Sequence, residues 1–129
     1  MTARGTGGIA LFVCDLDRLD FLRILETVIA RCRWLCHAYC LLGTHYHLVL
    51  EAPLDRLSDG MRVLNGTYAL RFNRRHTRRG HLFESRYSAW RVHDETHLAA
   101  TITYVRENPV RAGLCERAAD WAWNSSSLA

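Results

Sequence analysis

Leu41-Leu42-Gly43-Thr44-His45-Tyr46-His47-Leu48-Val49-Leu50-Glu51 is the stretch that decides the fold. Apolar residues run up to Gly43-Thr44, and an alternating segment leaves it. The reading is a β-hairpin: a strand over 34–42, a two-residue turn of type II′ with Gly43 at its first central position, and a return strand over 45–51 closed by Pro53. Side chains in a strand alternate between faces, so His45 and His47 project from one face, roughly 6–7 Å apart, while Tyr46 and Leu48 enter a core on the other. Two imidazoles so placed can grip one divalent cation.

Working outward, residues 15–32 read as a helix with Leu19, Leu22, Leu25, Ile29 and Cys32 as the apolar stripe and Asp15 or Asp17 at its start. Residues 55–75 read as a second helix with Leu57, Met61, Leu64, Tyr68 and Phe72 on one face, weakened by Gly60 and Gly66. The aromatic run over 82–92 predicts a third strand. Residues 94–107 predict a third helix, capped by Asp94 and broken at Asn108-Pro109. Its core stripe is Leu98, Ile102 and Val105. His97, Thr101, Tyr104 and Asn108 form a flanking stripe about 100° away, so the Tyr104 hydroxyl can stand at the edge where helix meets sheet. The expected class is α+β, an antiparallel sheet with packed helices, in one domain spanning 1–129.

The chain has 129 residues and a net charge of +4, and all 17 basic residues are arginine. Arg71, Arg74, Arg75, Arg78 and Arg79 cluster with His76 in nine residues, which reads either as a solvated face or as the footprint of an anionic partner, nucleic acid first. The apolar runs are too short and too interrupted for a membrane span. Five cysteines, an odd number without C-x-x-C spacing, read as free thiols in a reducing cytoplasm. A tyrosine hydroxyl can attack a phosphodiester when a cation polarises the phosphate and the phenol is aimed at it. Two histidines, a carboxamide at Asn108 and a phenol at Tyr104 have that logic. Each also has a plain reading: polar surface histidines, a half-buried helix tyrosine, and an asparagine capping the turn at Pro109.

His45-Tyr46-His47, Leu64-Asn65-Gly66-Thr67-Tyr68, Arg71-Phe72-Asn73-Arg74-Arg75-His76, Gly80-His81-Leu82-Phe83-Glu84-Ser85-Arg86-Tyr87 and Tyr104 followed by Asn108-Pro109-Val110-Arg111-Ala112-Gly113-Leu114 together resemble the single-tyrosine HUH transposases of the IS200-like superfamily. The branch they resemble is the REP-associated tyrosine transposases. The resemblance implies a ferredoxin-like or RRM-like HUH endonuclease domain that cleaves and rejoins single-stranded DNA at hairpin-bearing repeats, with Mg²⁺ or Mn²⁺, beside the nucleoid of a bacterial cytoplasm. It implies Tyr104 as nucleophile, His45, His47 and Asn108 as metal ligands, and Arg71, Arg74, Arg75, Arg78, Arg79 and Arg86 as nucleic-acid contacts. A homodimer is among the assemblies it implies, beside a monomer. Relatives open with a strand ending in a motif like Arg4-Gly5, so the N-terminal strand is expected to be missing here, leaving a bare sheet edge. The competing reading is a non-catalytic single-stranded nucleic-acid binding module or an inactive transposase remnant.

Overall fold

The computed structural model describes residues 1–84 and 87–125. The elements run β1 (Thr2–Arg4), α1 (Asp15–Cys32), β2 (Leu35–Leu41), β3 (His45–Glu51), α2 (Leu54–Arg75), α3 (Glu95–Arg106) and a short α4 (Asn108–Arg111). The strands form an antiparallel three-stranded sheet in the order β1-β3-β2. β1 and β2 therefore run parallel with β3 between them and α1 crossing over, the split arrangement of ferredoxin-like folds.

Two expectations change at the edge of this sheet. The N-terminal strand is present: β1 is three residues long, pairs Thr2, Ala3 and Arg4 with His47, Tyr46 and His45, and ends at the Arg4-Gly5 motif. Among the described residues of 82–92, the predicted third strand forms no regular strand. It covers the outer side of β1 through isolated antiparallel bridges, Gly5 to Phe83 and Thr2 to Ser88. Ser85 and Arg86, between these bridges, lie outside the described residues. β1 is thus no bare edge. Thr2 exchanges both backbone bonds with Ser88, the Arg4 carbonyl accepts from Glu84 N–H, and Thr6 N–H donates to the Leu82 carbonyl, so the edge is occupied rather than open to another chain. At the far edge, Asn124 bridges to Cys40 of β2.

Each face of the sheet carries its own apolar cluster. Tyr46, Leu48, Leu41 and Ala3 point inward and meet Phe21, Leu25 and Val28 of α1 and Met61, Leu64, Tyr68 and Phe72 of α2. Phe21 stands between Tyr46 and Tyr68 with ring centroids at 4.7 and 5.3 Å. The outer face carries Ala38, Cys40, Leu42 and Val49, covered by Val105 with Leu98, Ile102 and Trp121. The α2 and α3 stripes follow their predicted periodicity. The α1 stripe does so in part: Leu25 is buried and Leu22, Ile29 and Cys32 pack against the core, but Leu19 is exposed, and the buried face also carries Phe21 and Val28 together with Asp17 and Asp20. Apolar spacing misses part of this face because two of its buried residues are carboxylates neutralised by arginines from α2.

The hairpin turn also differs in type. Leu42 N–H donates to the His45 carbonyl at 2.9 Å, so Gly43 and Thr44 are central as expected. Gly43, however, is not among the positive-φ glycines, and a type II′ turn requires a positive φ there. The Gly43 carbonyl instead accepts from the Leu11 and Phe12 N–H groups at 2.8 and 3.3 Å, which ties the turn to the segment before α1.

The two glycines that weakened the α2 reading behave differently. A Cβ on Gly60 would lie 2.2 Å from Cζ2 of the buried Trp34, whereas a Cβ on Gly66 meets nothing within 4 Å. Gly60 is therefore a packing requirement, and Gly66 is a removable entropic cost. Gly60→Ala is expected to destabilise by about 1–3 kcal/mol through overpacking. Gly66→Ala is expected to stabilise by about 0.5–1 kcal/mol. Urea denaturation of the two variants checks both signs.

Candidate active site on the outer face of the sheet

β3 is the central strand, and its alternation sends His45 and His47 to the outer face, the side that α3 covers. Their rings stand at right angles, interplanar angle 87°, with centroids 5.0 Å apart. Each ring is held at Nδ1 by a threonine hydroxyl: Thr2 Oγ1 lies 3.0 Å from His47 Nδ1, and Thr44 Oγ1 lies 3.2 Å from His45 Nδ1. With Nδ1–H donating to the hydroxyl, the lone pair stays on Nε2. Fixing one ring nitrogen so that the other can ligate is the usual arrangement at metal-binding histidines. Burial pushes the His47 imidazolium down to about 4, reinforced by the charges of His45, the N-terminal amine, Arg4 and Arg111. Burial, then Arg4, also lowers His45. Both imidazoles are neutral near pH 7, the state a ligand needs.

Asn108 is the first residue of α4, and the cap position before it is Glu107, so Asn108 is not the cap of that turn. Its Nδ2 is buried and has no hydrogen-bond partner among the described residues. Such an orphan costs about 1–3 kcal/mol. The two ends of a carboxamide are interchangeable by a flip, which would put an unpartnered oxygen in the same enclosed place. Two neutral imidazoles and a carboxamide are donors that a hard or borderline divalent cation accepts.

Tyr104 lies on the last turn of α3 and is 58% exposed. The plain reading of a half-buried helix tyrosine therefore does not apply. Arg111 lies over its ring, guanidinium carbon to centroid 3.8 Å, and donates from Nη2 to the Tyr104 carbonyl oxygen. The same guanidinium acts electrostatically on His47 and on Cys40, the residue opposite His47 in the β2–β3 ladder. Arg4, Arg111, Thr2 and Thr44 are thus part of this face. Arg4 and Arg111 stood inside quoted motifs in the sequence, but nothing there showed which side chains they would touch.

The arginine cluster divides. Arg71 Nε donates to Asp20 at 2.6 Å, and Arg75 bridges Asp17 and Asp20 at 2.5 and 2.7 Å. His76 Nε2 lies 2.9 Å from both Asp17 oxygens. Arg78 holds Asn73 Oδ1 and the carbonyls of Gly80 and His81 at 3.0–3.2 Å. Arg74 and Arg79 are exposed and form no ion pair among the described residues. Arg86 lies outside them. Arg71 and Arg75 therefore fasten α2 to α1 on the inner side of the sheet.

Asp17 also accepts from the Val13 and Cys14 N–H groups at 2.9 and 3.4 Å, closing the start of α1. Burial alone pushes this carboxyl up, but the hydrogen bonds from Val13, His76 and Arg75 outweigh it and hold it below the ordinary carboxylate range. Cys14, Asp17 and His76 bring metal-type donors within 4.8 Å of one another. A cation there would face the Arg75 guanidinium already on Asp17, and the like charge opposes it.

Two clefts of about 360 and 380 Å³ involve Arg31, Arg33 and Arg56, and Asp20, Arg23 and Arg71. Neither contains His45, His47 or Tyr104. No helix among the described residues is long and apolar enough to cross a membrane.

Comparison with known proteins assigns this arrangement to a class. A family model described as "Transposase IS200 like" matches residues 11–108, and the chain belongs to that family. The fold is similar to that of a REP-associated tyrosine transposase bound to a REP hairpin, with a TM-score of 0.82 and 14% sequence identity over 98% of this chain and 74% of that one. No curated protein matches significantly.

The buried carboxylate generates a stability prediction. Asp17→Asn leaves Arg75 and His76 facing a neutral group and is expected to cost about 3–5 kcal/mol. Because the folded-state carboxyl is held low, its stabilisation is complete above the unfolded value of about 3.9 and is lost as pH falls through the folded value. Chemical denaturation at pH 7 and at about pH 3 should show a smaller difference between wild type and variant at the acid end.

Proposed function

We propose that this chain cleaves and rejoins single-stranded DNA at hairpin-bearing repeats, with Tyr104 as nucleophile and with His45, His47 and Asn108 holding Mg²⁺ or Mn²⁺. The observation that carries the reading is the pair of neutral imidazoles. They stand side by side with both Nδ1 atoms fixed, on the one sheet face that the tyrosine helix covers. Membership of the transposase family supports the reaction class. The REP hairpin bound by the structural neighbour supports the partner class, single-stranded DNA folded into a palindromic hairpin.

Each residue's part follows from its chemistry. When bound, the cation supplies Lewis-acid polarisation of the scissile phosphate. His45 and His47 present Nε2 lone pairs from a rigid central strand, and Asn108 adds a neutral oxygen from the turn after α3. The Tyr104 phenol oxygen forms a bond to phosphorus as the P–O bond to one flanking sugar breaks. The phenolic proton passes to solvent, and the released sugar oxygen leaves as a hydroxyl. The phosphotyrosine conserves the broken bond for rejoining to another strand end. Arg4 adds positive charge beside the histidines, and Arg74 and Arg79 offer exposed charge for backbone phosphates. His45 and His47 on β3 and the α3 helix that carries Tyr104 lie on one face of one chain, which supports a site within a single copy, with a homodimer as the alternative assembly. The five cysteines, read as free thiols, support a reducing cytoplasm, where the protein would meet chromosomal DNA.

The test is a labelled hairpin oligonucleotide incubated with Mn²⁺ or with EDTA and resolved on a denaturing gel. A protein–DNA adduct is expected with Mn²⁺ alone. It is expected to vanish in Tyr104→Phe and in His47→Ala, while Tyr104→Phe keeps hairpin affinity within about threefold, because binding rests on phosphate contacts. Tight, salt-sensitive binding without any adduct would make the protein a binding module.

A further inference from the structure

We infer that Arg111 is the positioning residue for the Tyr104 nucleophile, an inference that rests on the tyrosine chemistry proposed above. Two observations converge on this one side chain. Its guanidinium covers the Tyr104 ring at 3.8 Å. Its Nη2 donates to the Tyr104 backbone carbonyl.

The need for such a residue follows from where Tyr104 sits. It is 58% exposed on the final turn of α3. The helix core stripe of Leu98, Ile102 and Val105 turns away from it. An exposed tyrosine side chain samples several rotamers, and a nucleophile must be held near its attack geometry for orientation to accelerate the reaction. Arg111 supplies that restraint at two points. The planar fork stacks on the ring face, which limits the ring's rotation, and the bond to the carbonyl fixes the fork itself. The carbonyl lies at the C-terminal end of α3, where unpaired carbonyls carry partial negative charge and favour a cation.

Arg111 reaches back to this position because Glu107, Asn108 and Pro109 turn the chain into α4. The Val110 and Arg111 N–H groups both donate to the Glu107 carbonyl, at 3.0 and 3.1 Å. Pro109 is buried at the start of that short helix. The turn thus delivers Asn108 and Arg111, three residues apart and so on one side of a helical turn, next to the tyrosine. Lysine would keep the charge at this position but lose the planar stack and the fork.

The test combines kinetics with a contact measurement that needs no turnover. In wild type, the Arg111 δ and ε protons should be shifted upfield by the Tyr104 ring, with nuclear Overhauser contacts to it. The shift should vanish in Tyr104→Ala and persist in Tyr104→Phe. Arg111→Ala and Arg111→Lys should each lower the kcat for adduct formation by roughly 10–100-fold. KM for the hairpin oligonucleotide and the melting temperature should stay near wild type. Methylguanidine should partly restore Arg111→Ala but not Tyr104→Phe.

A raised KM with unchanged kcat would make Arg111 a DNA contact and overturn the inference, as would absence of the ring shift in a wild type that forms the adduct. A wild type with the ring shift but no adduct would instead sink the tyrosine chemistry, and the positioning role with it. A large fall in melting temperature in both variants would assign Arg111 to the fold.

Discussion

The register of β3 is the constraint on which the rest of the structure depends. Tyr46 is fully buried, and its hydroxyl donates to Asn65 Oδ1 of α2 at 2.5 Å. Phe21 packs on its ring from α1. A slip of one residue would exchange the faces of the whole strand. It would bring His45 and His47 into an apolar core without partners and expel Tyr46 and Leu48 into the outer layer. Burying an imidazole without a partner and exposing a tyrosine are both unfavourable, so the apolar half of the strand fixes the position of its polar half. β1 on one side and β2 on the other close the ladder around it.

The arginines show a second constraint at work. A run so dense in positive charge would be expected to remain solvated or to meet an anionic ligand. Here α1 supplies its own counter-charges at the same interface. Asp17 and Asp20 are buried, and Arg75 reaches both of them. Asp17 gains further hydrogen bonds from the Val13 and Cys14 N–H groups and from His76, and Asp20 takes two arginine donors, which is the condition under which a buried ion pair is tolerated. Two of the arginines therefore serve the α1–α2 packing, and the charge left for an external partner is narrower than composition suggests. Arg71 stands between the two roles, bonded to Asp20 yet half exposed.

Much of this arrangement was legible in the sequence because it follows from period alone. The hairpin, the bounds of α1 and α2, the Asp94 cap of α3 and the shared face of His45 and His47 all come from residue spacing. What was not legible depends on contacts between elements far apart in the chain. The buried face of α1 includes carboxylates whose partners lie 51 to 58 residues away, so an apolar count selected Leu19 instead of Phe21. The strand expected over 82–92 became a pair of isolated bridges. Its aromatic composition signalled a half-buried surface, which Phe83 supplies, but composition does not guarantee a continuous ladder. The three residues of β1 fall below the length at which alternation can be read. Thr2 gave no signal of its own, because its hydroxyl becomes an imidazole partner only when the β1–β3 ladder sets it beside His47.

The two halves of the candidate site rest on supports of unequal strength. The histidines sit on the central strand, whose inner face is locked into the large aromatic cluster shared with α1 and α2. The tyrosine sits on a helix with one fully buried apolar side chain, Val105, and partial cover from Leu98, Ile102 and Trp121. Local opening follows the density of buried apolar contact, so α3 belongs to the less firmly held part of the fold. Polar ties make up part of the difference. Arg106 Nε reaches Ser125 Oγ at 3.3 Å, Asn124 Nδ2 reaches the Arg106 carbonyl at 3.1 Å, and Arg111 holds the Tyr104 carbonyl. These bonds gather at the C-terminal end of α3, the end that carries the phenol. The fold thus keeps the histidine-bearing strand rigid through packing and holds the tyrosine-bearing turn through hydrogen bonds. Hydrogen bonds can exchange with solvent or phosphate, whereas a packed core cannot. Under the function proposed above, a site that admits a nucleic-acid strand and later releases it would be served by that division.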